Sequence, residues 1–343
     1  MATIVMADDG IPFDGAMAER EPLGGAETAF VALAEALARR RHEVVVHNRC
    51  RAPMRHNGVR WAPLADGVPE RCDLYIGNRG HRTIGLVRRA GTRLFWLHNP
   101  ASYLKKPRNL WRLARWRPIL VVTGAYHRAT VPRWLPCRAP EIIPYGILDS
   151  FRRASPREPP PPRAVFTSNP LRGLDWLLEL WAARIAPAVP QAELHVYAGP
   201  AVYGAAGTPA AGRIEDVLRR ADRLAARGVV RHRPIGHAAL AAALSRARVM
   251  LYRGDPGETF CLAVAEAQAS GVPAVVQPRG ALAERVVDGV TGRVADNDDA
   301  FAAAAIAVLR DDDLWRRWHL AALARQRGLS WDTVAARFEA FLE

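Results

Sequence analysis

At 343 residues the chain is longer than one hydrophobic core usually serves, so two domains are expected. Half of the residues are hydrophobic and 24% are charged, an ordinary globular balance, and no run of about 18 apolar residues exists to span a membrane. The net charge of +14 lies almost wholly in the first half: residues 1–160 hold 26 Lys and Arg against 14 Asp and Glu, and the rest hold 22 against 20. A basic half suits phosphorylated small molecules or anionic lipid, and no nucleic-acid-binding motif accompanies it. Cys50, Cys72, Cys137 and Cys261 have neither metal-ligand nor paired spacing, which fits a reduced, cytoplasmic protein.

Residues 1–9 lack a basic region and read as a strand at 4–7 instead of a signal peptide. Gly24-Gly25-Ala26-Glu27 then leads into a helix expected over 26–40. Two glycines let backbone approach a ligand closely and the helix start offers N–H groups, although the dinucleotide fingerprint is missing and a plain flexible entry is the simpler reading. Strands are expected at 44–47, 74–76, 94–97, 119–122 and 142–144. His98 follows one of these, at the ligand edge of a parallel sheet.

Residues 103–117 carry six cations interleaved with Trp and Leu. They read either as a headgroup-facing surface or as a domain helix with Trp111 and Trp116 packed inward, and the second reading is preferred. Prolines 156 and 159–162 exclude helix or sheet interior, so 152–163 is expected to link the domains. A second alternation follows: strand 164–167, helix 174–185, strand 193–197, helix 214–226, strand 229–232, a helix from Ala238, and strand 249–252. Arg172 stands just before a glycine-led helix, placed for forked binding of a diphosphate.

Glu258 and Glu266 are eight residues apart in Gly257-Glu258-Thr259-Phe260-Cys261-Leu262-Ala263-Val264-Ala265-Glu266. The stretch reads as an acidic loop running into a helix that Gly271 stops, with Glu266 roughly 10 Å along the axis from Glu258. Two carboxylates beside a helix N-terminus could hold hydroxyls on both sides of a diphosphate. An acid within an otherwise apolar helix also needs a partner, because an unpaired buried carboxylate is costly. Gly280-Ala281-Leu282-Ala283-Glu284 and Asp288-Gly289-Val290-Thr291-Gly292 follow. With these residues the chain resembles the family 4 retaining glycosyltransferases, which share a Glu-x7-Glu motif and a "dGvtG" loop.

The resemblance covers nearly the whole chain and implies an α/β protein of GT-B fold: two Rossmann-like doubly wound domains facing a central cleft. They would comprise 1–151 on the acceptor side, the linker 152–163, and 164–328 on the nucleotide-sugar side. Residues 329–343, with Ser330-Trp331-Asp332, would form a helix crossing back. The implied activity is transfer of a hexose from a nucleoside-diphosphate sugar, UDP- or GDP-linked, by a metal-independent front-face mechanism with no further cofactor. Glu258, His98 and Arg172 would be catalytic. Gly24, Gly25, Ser168, Arg172, Glu258, Thr259, Phe260 and Glu266 would bind the donor, with Glu266 on the ribose diol.

Arg172 takes the place of the family's Lys, the upstream Arg has no counterpart at Thr167, Ser168 or Asn169, and Tyr145 replaces the usual Asn. The acceptor would be a sugar, a lipid-linked hydroxyl or a small molecule, and nucleic acid is not a partner. The location would be cytoplasmic, with peripheral contact at the inner membrane face through 103–117. A GT-B nucleotide-sugar epimerase and a non-catalytic basic binding module stay open as alternatives.

Overall fold

The computed structural model describes residues 1–203, 208–326 and 328–342, and divides the chain into two compact units. The first comprises Met1–Arg20, Gly25–Gly146 and Leu329–Glu343, and the second Glu21–Gly24 and Ile147–Gly328. Both are α/β units built on largely parallel sheets.

The first sheet has eight strands: β1 (Thr3–Asp8), β2 (Glu43–Asn48), β3 (Met54–His56), β4 (Val59–Pro63), β5 (Arg71–Asn78), β6 (Arg89–Trp96), β7 (Ile119–Val122) and β8 (Arg138–Ile142). They lie in the order β3-β4-β2-β1-β5-β6-β7-β8, parallel except for the β3–β4 hairpin. Ile4, Val5, Met6 and Ala7 on β1 are fully buried, as a strand covered on both faces requires. The second sheet is wholly parallel: β9 (Arg163–Phe166), β10 (Glu193–Tyr197), β11 (Val229–His232), β12 (Val249–Tyr252), β13 (Ala274–Val276) and β14 (Gly292–Val294), in the order β11-β10-β9-β12-β13-β14. Strand order reverses between β1 and β5 in one unit and between β9 and β12 in the other. Such switch points open a crevice at the carboxyl ends of the strands.

Several expectations need correction. The first unit ends at Gly146 instead of residue 151, and the segment expected as a linker at 152–163 is part of the second unit. Arg157 donates to Ser270 O at 2.8 Å, Arg248 donates to Pro160 O at 3.1 Å, and Arg316 pairs with Glu158 at 2.8 Å. The prolines forbid regular structure but not docking. The strand expected at 142–144 is β8, ending at Ile142.

The helix expected over 174–185 is α-helical only over Leu174–Leu180 and widens to a π turn at Trp181–Ile185. Pro187 lies in the next turn and has no N–H to continue the ladder. The closing helix Trp331–Glu339 clusters with the first unit, where Arg39 meets Asp332 at 2.8 Å and Phe338 packs edge-on to Trp96. Glu343, the last residue of that expected segment, lies outside the described residues.

In the helix Pro107–Trp116 the preferred reading holds for one tryptophan only. Trp116 packs against a core cluster with Leu113, Leu120 and Phe95, whereas Trp111 is 65% exposed. With 3.6 residues per turn, the face that buries Asn109 and Leu113 leaves position 111 turned to solvent.

Candidate active site

At the switch point of the second sheet, β9 delivers Ser168 and β12 ends on Tyr252. Ser168 Oγ donates to the Tyr252 hydroxyl at 3.1 Å, and that hydroxyl donates to Glu258 Oε1. Arg172 Nη1 meets the same Oε1 at 2.7 Å. Glu258 is only 5% exposed, and its Oε2 has no partner among the described residues. Burial works against the Arg172 charge, but the Glu258 carboxylate more than offsets it and holds the guanidinium above its ordinary range. Burial pushes the Tyr252 phenol well up, so it stays a donor.

The loop around Glu258 is fixed from two sides. Asp255 makes a tight turn, accepting from Gly257 N at 2.7 Å through its side chain and from Glu258 N at 2.9 Å through its carbonyl. Across from it, Gly280 comes so close that an added Cβ would lie 2.5 Å from Glu258 O, and its φ of +56° also favours glycine.

Thr259 and Phe260 are buried, and Cys261 takes a left-handed conformation (φ 64°) before the helix Leu262–Ala269 begins. The expected geometry therefore changes. Glu258 sits four residues ahead of the helix and the chain turns between the two acids, so their spacing does not follow one helix axis. Glu266 is 7% exposed, its carboxyl has no partner among the described residues, and burial raises its pKa to about 8. Gly271 closes this helix as expected: Val272 N bonds Ala267 O at 2.8 Å and Gly271 N bonds Gln268 O at 2.9 Å.

The Asp288–Gly292 loop supports the site without joining it. Thr291 Oγ1 accepts from Val287 N at 3.0 Å and from Gln268 Nε2 at 3.1 Å, and Gln326 donates to Gln268 Oε1 at 2.7 Å. Gln268 is fully buried two residues beyond Glu266, so this network sets the rotation of the glutamate's helix.

The first unit has a cluster at its own switch point. Asp8 ends β1 and accepts from Asn78 Nδ2 at the end of β5. Asn78 Oδ1 then meets His98 Nε2, and His98 Nδ1 meets the Tyr145 hydroxyl. The Asn78 orientation makes Nε2 the protonated nitrogen, leaving Nδ1 to accept from Tyr145. Burial, then Arg79 and His127, keep the imidazole neutral by lowering its pKa well below the usual value. Arg79 bridges Glu27 at 2.6 Å and Asp8 at 3.1 Å.

Gly25 begins the helix Gly25–Arg39, whose first turn presents Glu27, while Gly24 clusters with the second unit. His98 and Gly25 thus belong to the first unit, whereas Gly24 belongs to the unit that holds Ser168, Arg172, Glu258 and Tyr252. Sequence reading missed Tyr252, Asp8, Asn78 and Arg79. Each ends or follows a central strand next to a switch point, which was the available signal. Among the described residues no three His, Cys, Asp or Glu side chains gather as a metal site, and no helix is long and apolar enough to cross a membrane.

A family model described as glycosyl transferases group 1 matches residues 161–311. D-inositol 3-phosphate glycosyltransferase of Streptomyces coelicolor is 37% identical over 142 residues, covering 40% of this chain and 30% of that protein. The match therefore spans less than a third of that curated relative. Sucrose-phosphate synthase of Thermosynechococcus elongatus superposes with a TM-score of 0.73 at 18% identity, over 99% of this chain and 98% of that one. Anabaena HepE, solved in complex with UDP and glucose, gives 0.73 at 15% identity, over 100% and 99%. At these identities the likeness to the solved structures is one of fold, and that fold is GT-B.

Proposed function

The chain belongs to the glycosyl transferases group 1 family, and on that premise we propose that it moves a sugar from a UDP- or GDP-linked donor to an acceptor hydroxyl. Transfer proceeds with retention and without a divalent metal. The acceptor hydroxyl attacks on the face from which the diphosphate departs, and the departing phosphate takes its proton. Arg172 and Ser168 stabilise the charge that grows on the leaving group. Glu258, anchored through Oε1 by Arg172 and Tyr252, offers Oε2 to the sugar hydroxyls, and Glu266 receives the ribose diol. His98 serves the transferred sugar and the Gly24–Gly25 loop approaches the donor phosphates and the acceptor, which is a sugar, a small molecule or a lipid-linked hydroxyl.

One observation carries this reading: near the switch point of a parallel sheet the buried Glu258 pairs with Arg172 through one oxygen and keeps the other uncommitted, and the buried Glu266 carboxyl on the helix that follows has no partner among the described residues. Buried acids in that state call for hydroxyl donors from a ligand. A panel of UDP, GDP, ADP and TDP is expected to raise the melting temperature for one base above the rest. NMR of the product made from the matching nucleotide sugar, with EDTA present, should show the donor's anomeric configuration. Binding of none of the four would sink the donor assignment, inversion would sink the front-face step, and loss of turnover in EDTA would sink metal independence.

A further inference from the structure

Residues 74–140 contain 14 Lys and Arg and not one Asp or Glu, a surplus equal to the net charge of the whole chain. The only two lysines of the chain are neighbours here, Lys105 and Lys106, both exposed just ahead of the helix Pro107–Trp116. Arg108, Trp111 and Arg115 recur at i, i+3 and i+7, so they share the solvent face of that helix. Among the described residues none of Lys105, Lys106, Arg108, Arg112, Arg115 and Arg117 has an acidic partner.

Trp111 is 65% exposed and among the described residues its one ring contact is Arg112, 5.9 Å from the ring centroid, whereas Trp116 in the same helix lies under Arg93 at 4.5 Å. Trp134 is 61% exposed between Val131 and Leu135, both of which pack on the core cluster that also holds Leu113 and Trp116. Most tryptophans of the chain are partly or fully buried, yet these two stand open beside one core, in the stretch without acids.

We propose that this face, with Trp111 at its centre and Lys105, Lys106, Arg108 and Arg115 around it, docks the protein on an anionic lipid bilayer. Cations draw the protein to the charged surface, and an indole at headgroup depth supplies the apolar anchor, so binding has the two signals that stable attachment needs. Tryptophan suits this position because its ring is apolar and its N–H can stay hydrated. The charge reaches a neighbour: burial, then Arg108 and Arg112, lower the pKa of His81, with Asp9 acting the other way. This surface belongs to the first unit and does not depend on the transfer reaction.

The test is flotation of the full chain with vesicles of phosphatidylcholine alone and with one-third phosphatidylglycerol, at low and at physiological salt, beside a duplex DNA arm. Wild type should float with the anionic vesicles only, and less at the higher salt. Reversing Lys105, Lys106 and Arg108 to Glu should weaken binding at least tenfold, and Trp111→Ala should weaken it severalfold without changing the melting temperature. Fluorescence quenching by brominated lipid should fall in Trp111→Ala. The proposal is overturned if wild type ignores anionic vesicles at low salt or if Trp111→Ala binds them as wild type does. It is equally overturned if DNA binds more tightly than vesicles and Trp111→Ala leaves both unchanged, since the surface would then recognise polyanions through charge alone.

Discussion

Glu266 shows what a buried carboxyl without a partner does to a protein's pH response. Its folded pKa of about 8 lies above the ordinary value of 4.5. Between those two values the folded protein keeps a proton that the unfolded chain has lost, so stability falls as pH rises through that window and levels off above it. Glu266→Gln removes the ionisation and should flatten the fall, by a few kcal/mol between pH 5 and 8.5 in urea melts.

If the carboxylate receives a ribose diol, nucleotide binding near pH 6.5 must expel the same proton. Calorimetry in two buffers of different ionisation enthalpy should detect close to one proton released by wild type and none by Glu266→Gln. Affinity should drop by on the order of 1–3 kcal/mol in Glu266→Ala, and unchanged affinity would refute the ribose role. Arg172→Ala should lower kcat by about 10²–10³, as losing a donor to the leaving group does, and more than it lowers the melting temperature. A variant that turns over at the wild-type rate would dismiss Arg172 from the chemistry.

The two glutamates were legible because acids in an apolar stretch are conspicuous. Tyr252 was not, because a tyrosine closing the buried strand Val249–Tyr252 looks like core until its hydroxyl is seen between Ser168 and Glu258.

Among the elements, alternation of apolar runs with helical patterns revealed both sheets, since a strand buried on both faces has no other composition available to it. The β3–β4 hairpin was readable and went unread: Asn57-Gly58 joins the two strands, a pair suited to positive φ at both turn positions. The π turn at Trp181–Ile185 was less accessible, because Pro187 announces a defect without saying how many residues it spreads over. The "dGvtG" loop, which led to the family, has a structural purpose visible only in three dimensions. A Cβ on Gly292 would lie 1.9 Å from Ala274 O, and its φ is +153°. Gly292→Ala should therefore break the β13–β14 pairing and cost several kcal/mol, the range expected for strain at a special backbone position. Thermal melts would show it. A variant that melts within a degree of wild type would mean that the backbone yields there.

At the scale of the whole molecule the charge asymmetry was legible from counting, while the boundary at Gly146 was not, because the proline run at 156–162 advertises irregular chain and gives no sign of what it packs on. The second unit is continuous apart from Glu21–Gly24, whereas the first is completed only by Leu329–Glu343. A fragment of residues 147–328 is expected to melt cooperatively and bind the preferred nucleotide. A fragment of residues 1–146 lacks buried Trp331, Val334 and Phe338, each worth about 1.5–3 kcal/mol when an apolar side chain is fully covered. It should be protease-sensitive and should recover protection when the peptide 329–343 is added. Resistance of 1–146 alone would show that the closing helix is dispensable. The same interruption orders events on the ribosome. The eight strands leave the exit tunnel before the inserted unit, yet the helix that seals their sheet is translated only after every residue of that unit. For that interval the nascent chain carries an unsealed apolar face, which a chaperone would be expected to shield until the closing helix emerges.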